Sequence, residues 1–375
     1  MKKVLFLINT LGGGGAERVL VNLVNHMDPA RYDITVETMF GDGVCRPLLA
    51  PHIRYISKKA PCFSGIAYVL RCIPARWLYR YFIGPQTYDV IIAYMHGAPT
   101  KVISGCKDPQ VKKLTWLHTG DPAHSTFFHF WWTKRAAFSA YGGCDAIAAV
   151  CQSAADAFCK YTGLYENVKV VYNTNDTETI RKNAREEIAP AFPLPETPLL
   201  CAVGRLSEEK GFDRLIDAAV RLHREGCAFC LVILGEGSAR KALEKQIAQA
   251  GAASYIFLNG FTDNPYAWLA RADLAVCSSR HEGLSTAVTE ALIVGVPVLS
   301  TDVSGARELL GAHGEYGVVT PNSTEGIYDG LKSLLTRPER LSALRVSAAE
   351  RGAQFETSKT VQQACDLIDA VCERP

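Results

Sequence analysis

The chain is organised around Ser278-Ser279-Arg280-His281-Glu282-Gly283-Leu284-Ser285-Thr286-Ala287-Val288-Thr289-Glu290-Ala291-Leu292-Ile293-Val294-Gly295-Val296-Pro297. An apolar strand pattern at 272–277 runs into it, and a polar, glycine-containing turn follows. The pattern then predicts a short amphipathic helix over 285–294, closed by Gly295 and Pro297. Ser285 or Thr286 is the natural N-cap. The start of a helix leaves backbone N–H groups unpaired and carries partial positive charge, so it suits an anion such as a diphosphate. Glu282 lies before that start and Glu290 inside the helix. Carboxylates repel phosphate, so their expected task is to accept hydrogen bonds from a ribose diol or a sugar ring. The plainer alternative makes Glu290 a solvated helix residue and Glu282 a turn residue.

Working outward, strands and helices alternate on both sides. Strands are expected at 4–9, 33–38, 53–56, 89–94, 113–117, 146–150 and 168–172, with helical stretches between them. The alternation restarts with strands at 199–203, 228–234, 255–258, 272–277, 296–300 and 317–319. This implies two doubly wound α/β domains of Rossmann-like type. The first is expected over 1–175. A polar, then proline-rich linker follows over 176–198, including Pro190, Pro193, Pro195 and Pro198. The second domain runs over 199–356, and a last helix over about 357–375 is expected to pack back on the first.

The bulk numbers narrow the function classes. The chain has 375 residues, 48% of them hydrophobic, enough for two cored domains. The net charge of +2 gives no reason to expect a nucleic-acid partner. No apolar run reaches the ~20 residues that span a bilayer. The N-terminal stretch Met1–Asn9 leads into glycines rather than a cleavage site, so it reads as a first strand. The 13 cysteines are scattered, many in strand-like contexts, as expected for reduced core thiols in a cytoplasmic protein. Cys227-Ala228-Phe229-Cys230 has no second pair at zinc spacing.

In such sheets the ligand side lies at the carboxyl ends of the strands. Four loops of the second domain emerge there. They are Gly204-Arg205 through Lys210-Gly211, Gly235-Glu236-Gly237, Asn259-Gly260-Phe261-Thr262-Asp263-Asn264, and the turn Glu282–Thr286. Arg205 and Lys210 precede a helix on that rim and are read as phosphate ligands. No Asp-x-Asp occurs, so these cations and the helix start, rather than a divalent metal, are expected to supply positive charge. In the first domain the polar loops are 12–17, His96-Gly97-Ala98 and His118-Thr119-Gly120-Asp121. His118 sits just past a strand end and is given a cleft role. The Gly12–Gly15 run fails the dinucleotide fingerprint, because the last glycine slot holds Glu17 or Arg18; Glu37 is the one hint of a ribose-binding acid for NAD. Two basic, aromatic stretches, 71–82 and 127–135, read as half-buried helices or as membrane-interface helices. The paired Trp131 and Trp132 favour membrane contact for the second.

Taken in order, these motifs resemble the retaining glycosyltransferases of family 4, which have the two-domain GT-B fold with a cleft between the domains. The resemblance rests on Glu282 and Glu290 enclosing seven residues, then Ala291, Gly295, Val296 and Pro297. It rests also on the four rim loops and the opening Gly14-Gly15-Ala16-Glu17-Arg18. It implies that Arg205, Lys210 and Gly204 hold the donor diphosphate, that Glu290 binds the ribose, and that Glu282 contacts the donor sugar. It implies that Gly283, Leu284, Ser285 and Thr286 meet a phosphate and that Gly13, Gly14 and Gly15 line the cleft. Gly235, Gly260 and Phe261 would lie by the nucleotide, and His118 near the reaction centre. The glycine-rich opening is frequent in relatives using UDP-sugars, so UDP is favoured over GDP-mannose. The acceptor is expected to be a saccharide or lipid-linked saccharide of cell-surface glycan synthesis, handled in the cytoplasm, at the membrane face if the aromatic helices touch lipid. A non-catalytic nucleotide-sugar-binding protein and an NAD-dependent enzyme are the competing readings.

Overall fold

The computed structural model describes residues 1–120, 126–188, 190 and 196–373. Asp121, Pro193, Pro195 and the last two positions of the expected terminal helix lie outside the described residues. The chain divides into two compact units, Met1–Asn175 with Thr357–Pro375, and Asp176–Glu356.

The first unit carries β1 (Lys2–Ile8), β2 (Tyr32–Thr38), β3 (Arg54–Ser57), β4 (Val90–Ala93), β5 (Lys112–Leu117), β6 (Ala146–Ala149) and β7 (Val168–Val170). They form a seven-stranded parallel sheet in the order β3-β2-β1-β4-β5-β6-β7. Val4 to Ile8 are wholly buried, as a parallel strand covered on both faces must be. The helix Thr357–Cys372 belongs to this unit. Its Asp369 accepts from Lys2 Nζ at 2.6 Å, from Tyr32 at 2.9 Å and from Arg31.

The second unit carries β8 (Leu199–Val203), β9 (Cys230–Leu234), β10 (Ile256–Gly260), β11 (Leu274–Cys277), β12 (Val298–Thr301) and β13 (Val318–Thr320). Their order is β10-β9-β8-β11-β12-β13, again parallel. Chain order reverses at β1/β4 in the first sheet and at β8/β11 in the second. At such a switch point the two carboxyl-edge loops part and leave a crevice.

Three sequence expectations change. The 176–198 segment is not linker throughout: it opens with a helix, Thr177–Asn183, whose cap Asp176 accepts from Thr179 N. An Asp side chain capping the first turn outweighs the polar look of the segment. The helix after the key turn, Thr286–Val294, is not amphipathic, for Val288 through Ile293 are all buried. It is a central helix, which the Thr and Glu in its sequence disguised. The stretch 127–135 is not one helix: a short 3-10 turn at Thr126–Phe128 precedes a helix that starts at Lys134, capped by Thr133. Trp131 is buried and Trp132 is exposed, so the pair does not present one face.

Glu37 is wholly buried, and among the described residues no protein group donates to either of its oxygens. It is therefore unsuited to gripping a ribose, which removes the one hint of an NAD site. Burial pushes its carboxyl up to about 7, against a weaker pull from Lys58. The folded protein holds this proton between pH 4.5 and 7 while the unfolded chain releases it, so stability falls as pH rises through that window. Above it the full cost remains. Glu37→Gln is expected to raise unfolding stability at pH 8 by up to roughly 3 kcal/mol and to flatten its pH dependence. Urea unfolding at pH 5 and pH 8 checks both; equal pH dependence in variant and parent would contradict it.

Candidate active site

The second unit's site forms at the β8/β11 switch point. After β8 the chain passes Gly204 and Arg205, makes a short 3-10 turn at Glu208–Lys210, and enters the helix Phe212–Arg224. Gly211 joins the two with φ +63°, and a Cβ there would lie 2.2 Å from the Ser278 carbonyl oxygen. That close approach brings the β8 loop onto the β11 loop. Ser278 Oγ donates to the Lys210 carbonyl at 2.8 Å, and Arg214 donates to the Ser278 carbonyl at 2.8 Å.

Lys210 and Glu282, 72 residues apart, meet as an ion pair: Lys210 Nζ donates to Glu282 Oε1 at 2.6 Å. The Lys210 stem lies along Gly204, at ordinary contact distance from where a Cβ would stand. Burial alone would depress the Lys210 ammonium, but the Glu282 charge and hydrogen bond outweigh it and hold it above its ordinary value. Ser279 Oγ donates to the same Glu282 oxygen at 2.7 Å. Both contacts use Oε1, which leaves Oε2 available to accept from a ligand hydroxyl. A pocket lined by Lys210, Ser279, Glu282, Ser285, Cys277 and Val288 opens here.

The turn that carries Glu282 is braced from outside. Arg280 makes a two-pronged ion pair with Asp213, at 2.8 and 2.6 Å, and donates to the Glu208 carbonyl. Thr301 Oγ1 donates to the Ser279 carbonyl at 2.7 Å. Ser279, Asp213, Arg280 and Thr301 were not among the sequence candidates. No local signal pointed to them, because their partners lie far away in the sequence. Ser279→Ala is expected to lower kcat/KM about tenfold by freeing the Glu282 carboxylate, as loss of one hydrogen bond to a charge costs ~1.5 kcal/mol. Steady-state kinetics with a saturating acceptor checks this; unchanged kcat/KM would leave Ser279 without a positioning role.

The remaining candidates fall as follows. Ser285 is the N-cap residue of the Thr286–Val294 helix, but its side chain makes no capping bond there; it lies 3.9 Å from Cys277 Sγ. Gly283, Leu284 and Ser285 are buried and Thr286 half-buried. Glu290 is buried, and Tyr266 O–H donates to its Oε1 at 3.4 Å. Gly235 directly follows β9 and Gly260 ends β10, joined by Gly235 N donating to the Gly260 carbonyl at 2.8 Å. Phe261 is 66% exposed. Arg205 is exposed, and its side chain makes no ion pair among the described residues.

In the first unit, Gly13, Gly14 and Gly15 form the turn between β1 and the helix Gly15–His26. His118 follows β5, half-buried as a residue, with an Nε2 that is sealed and has no partner among the described residues. Its ring packs on Tyr94 at 4.9 Å between centroids. Burial, with a smaller push from His96, depresses it to about 3 against a backbone hydrogen bond to Tyr94. It is therefore a neutral imidazole. His96 stacks on Phe127 at 4.2 Å, so it is committed to packing.

The chain matches known proteins. The model for "Glycosyltransferase Family 4" matches residues 13–179, and that for "Glycosyl transferases group 1" matches residues 184–351. A Campylobacter jejuni enzyme, N-acetylgalactosamine-N,N'-diacetylbacillosaminyl-diphospho-undecaprenol 4-alpha-N-acetylgalactosaminyltransferase, is 27% identical over 98% of this chain and 100% of its own. A GDP-mannose-dependent alpha-(1-6)-phosphatidylinositol dimannoside mannosyltransferase of Mycobacterium tuberculosis is 35% identical, but over only 39% of this chain and 38% of its own. Anabaena HepE, solved with UDP and glucose, superposes with TM-score 0.78 at 22% identity over 98% of this chain and 100% of that one, which establishes a shared fold. With both family models matched in order across two Rossmann-like units, the chain belongs to the family 4-type glycosyltransferases of GT-B fold, which act on nucleotide sugars.

Proposed function

We propose that the chain is a retaining glycosyltransferase that moves a sugar from a UDP-sugar, without a divalent metal, to a lipid-linked saccharide. The observation that carries the reading is the Lys210–Glu282 pair at the switch point, beside the Thr286–Val294 helix start. Lys210, the exposed Arg205 and the amides near 284–286 would hold the diphosphate. Glu282, fixed through one oxygen, would offer the other to a donor-sugar hydroxyl. Glu290 would accept from the ribose, with Gly235, Gly260 and Phe261 bordering the nucleotide.

As the acceptor hydroxyl oxygen attacks the anomeric carbon, the bond from that carbon to the phosphate oxygen breaks. Its electron pair stays with the phosphate, where the cations and amides stabilise it. Attack from the leaving-group side lets this phosphate take the acceptor's proton, so no protein nucleophile is required for retention. His118, neutral throughout the working pH range, would supply a hydrogen bond rather than a charge. The lipid-linked acceptor is supported by the relative that acts on a diphospho-undecaprenol saccharide. A GDP-mannose donor is the second reading, favoured by the mycobacterial relative.

A thermal-shift series decides the base. At a hundred times its Kd, a ligand adds ~2.7 kcal/mol, which moves Tm by roughly 5 °C or more. UDP is expected to do so and GDP not; the reverse would favour GDP-mannose, and no response to either would overturn the reading. Donor binding without transfer or slow donor hydrolysis would make the chain a binding protein.

A further inference from the structure

The charge of the first unit is unevenly spread. Between Asp42 and Asp89 the sequence has no Asp or Glu but seven Lys or Arg, although the whole chain is only +2. This segment holds two helices, Ile66–Cys72 and Ala75–Phe82, joined by Ile73-Pro74. Leu70, Leu78 and Phe82 are buried and anchor them. Tyr68 (61% exposed) on the first helix and Trp77 (56%) and Tyr81 (59%) on the second are exposed, as are Arg76 and Arg80. At helical spacing Arg76, Trp77, Arg80 and Tyr81 share one arc of the second helix, opposite Leu78 and Phe82.

Trp132, 62% exposed, joins this set from a second acid-free stretch, 126–144. Its ring meets Tyr68 edge-on at 6.0 Å, and the Arg71 guanidinium lies 5.5 Å from its centroid. Arg71 Nε donates to the His129 carbonyl at 2.8 Å, which ties the two segments. Lys101, itself buried, donates through Nζ to the Leu70 and Arg71 carbonyls at 2.6 and 3.0 Å and closes the first helix end. The aromatic rings are thus presented on a fixed base rather than left loose.

Scattered exposed aromatics need no partner, but four on acid-free, arginine-bearing elements do. Trp and Tyr settle at the headgroup level of a bilayer, and arginines beside them are drawn to anionic lipid. We propose that this face of the first unit, Tyr68, Trp77, Tyr81 and Trp132 with Arg71, Arg76 and Arg80, docks on the surface of an anionic lipid bilayer. No helix among the described residues is long and apolar enough to cross a membrane, so the contact is interfacial. The inference stands on this surface and not on the donor site.

The test is co-sedimentation of the full chain with vesicles of phosphatidylcholine alone or with 30% phosphatidylglycerol. The parent is expected to pellet with the anionic vesicles, and neutral vesicles to hold at least tenfold less. Arg76→Gln with Arg80→Gln should lower partitioning about fivefold per arginine. Trp77→Ser, Tyr81→Ser and Trp132→Ser together should lower it at least tenfold. The UDP thermal shift of each variant reports that it is folded, and separates failure here from failure of the donor reading. Equal binding to neutral vesicles, variants that bind like the parent, or a parent that stays in the supernatant would overturn the proposal. So would a change of the parent's oligomeric state in the aromatic variant, which would assign the face to a second copy.

Discussion

Lys210→Ala is expected to lower kcat/KM for sugar transfer by about 10³, since removing one donor aimed at developing negative charge costs 10²–10³ and here a full positive charge goes with it. The loss has two sources. The diphosphate would lose the cation that Glu282 keeps protonated despite its burial. Glu282 also loses the partner that fixes its Oε1, and keeps only the Ser279 bond. The same variant leaves a largely buried carboxylate without its charge partner, so a stability loss of about 1–3 kcal/mol should accompany it. The chain should still fold, because the Arg280–Asp213 pair and the Thr301 bond hold the turn independently. Steady-state kinetics beside urea unfolding separates the two effects. Turnover near that of the parent would remove Lys210 from the reaction.

Gly235→Ala should be the most damaging small substitution in the second unit. Gly235 has φ +143°, and a Cβ there would stand 1.9 Å from the Gly204 carbonyl oxygen, which is backbone and cannot swing aside. The loops after β8, β9 and β10 are laced together at this point. Gly204 N donates to Leu234 O at 3.0 Å, Gly235 N to Gly260 O at 2.8 Å, and Leu206 N to Glu236 O at 2.9 Å. Relief of the clash breaks at least one of these bonds and moves Gly204, against which the Lys210 stem rests. A loss of at least about 3 kcal/mol is expected, from strain and a broken buried bond together. A lowered urea midpoint at unchanged m-value would show it, with weaker UDP binding in the fraction that folds. A midpoint equal to the parent's would mean that the loops are not packed as described.

Much of the fold could be read along the chain because buried parallel strands are short apolar runs between helical patterns. Val4–Ile8 and Cys230–Leu234 are examples, with every residue of each buried. The rim loops were legible for the same reason: they follow strand ends, and the strand order makes one edge the ligand edge. Contacts between remote loops were not legible. Nothing local pairs Lys210 with Glu282, or Asp213 with Arg280, because those bonds depend on β8 lying beside β11. The Thr286–Val294 helix misled for a related reason. Thr289 and Glu290 look like a solvent face, yet the tertiary structure buries both. Thr289 Oγ1 donates to the Ser285 carbonyl, and Glu290 accepts from Tyr266. Trp131 and Trp132 likewise form a pair in sequence only, since a turn rather than a helix holds them.

The proposed donor site puts the diphosphate by Lys210, Arg205 and the first amides of the Thr286–Val294 helix. A crystal structure with bound UDP-sugar tests it most directly. Both phosphates are expected within hydrogen-bond distance of Lys210 Nζ, the Arg205 guanidinium and the backbone N–H groups near 284–286, with Glu282 on a sugar hydroxyl and Glu290 on the ribose. Phosphates bound elsewhere, with Lys210 still committed to Glu282 alone, would contradict it.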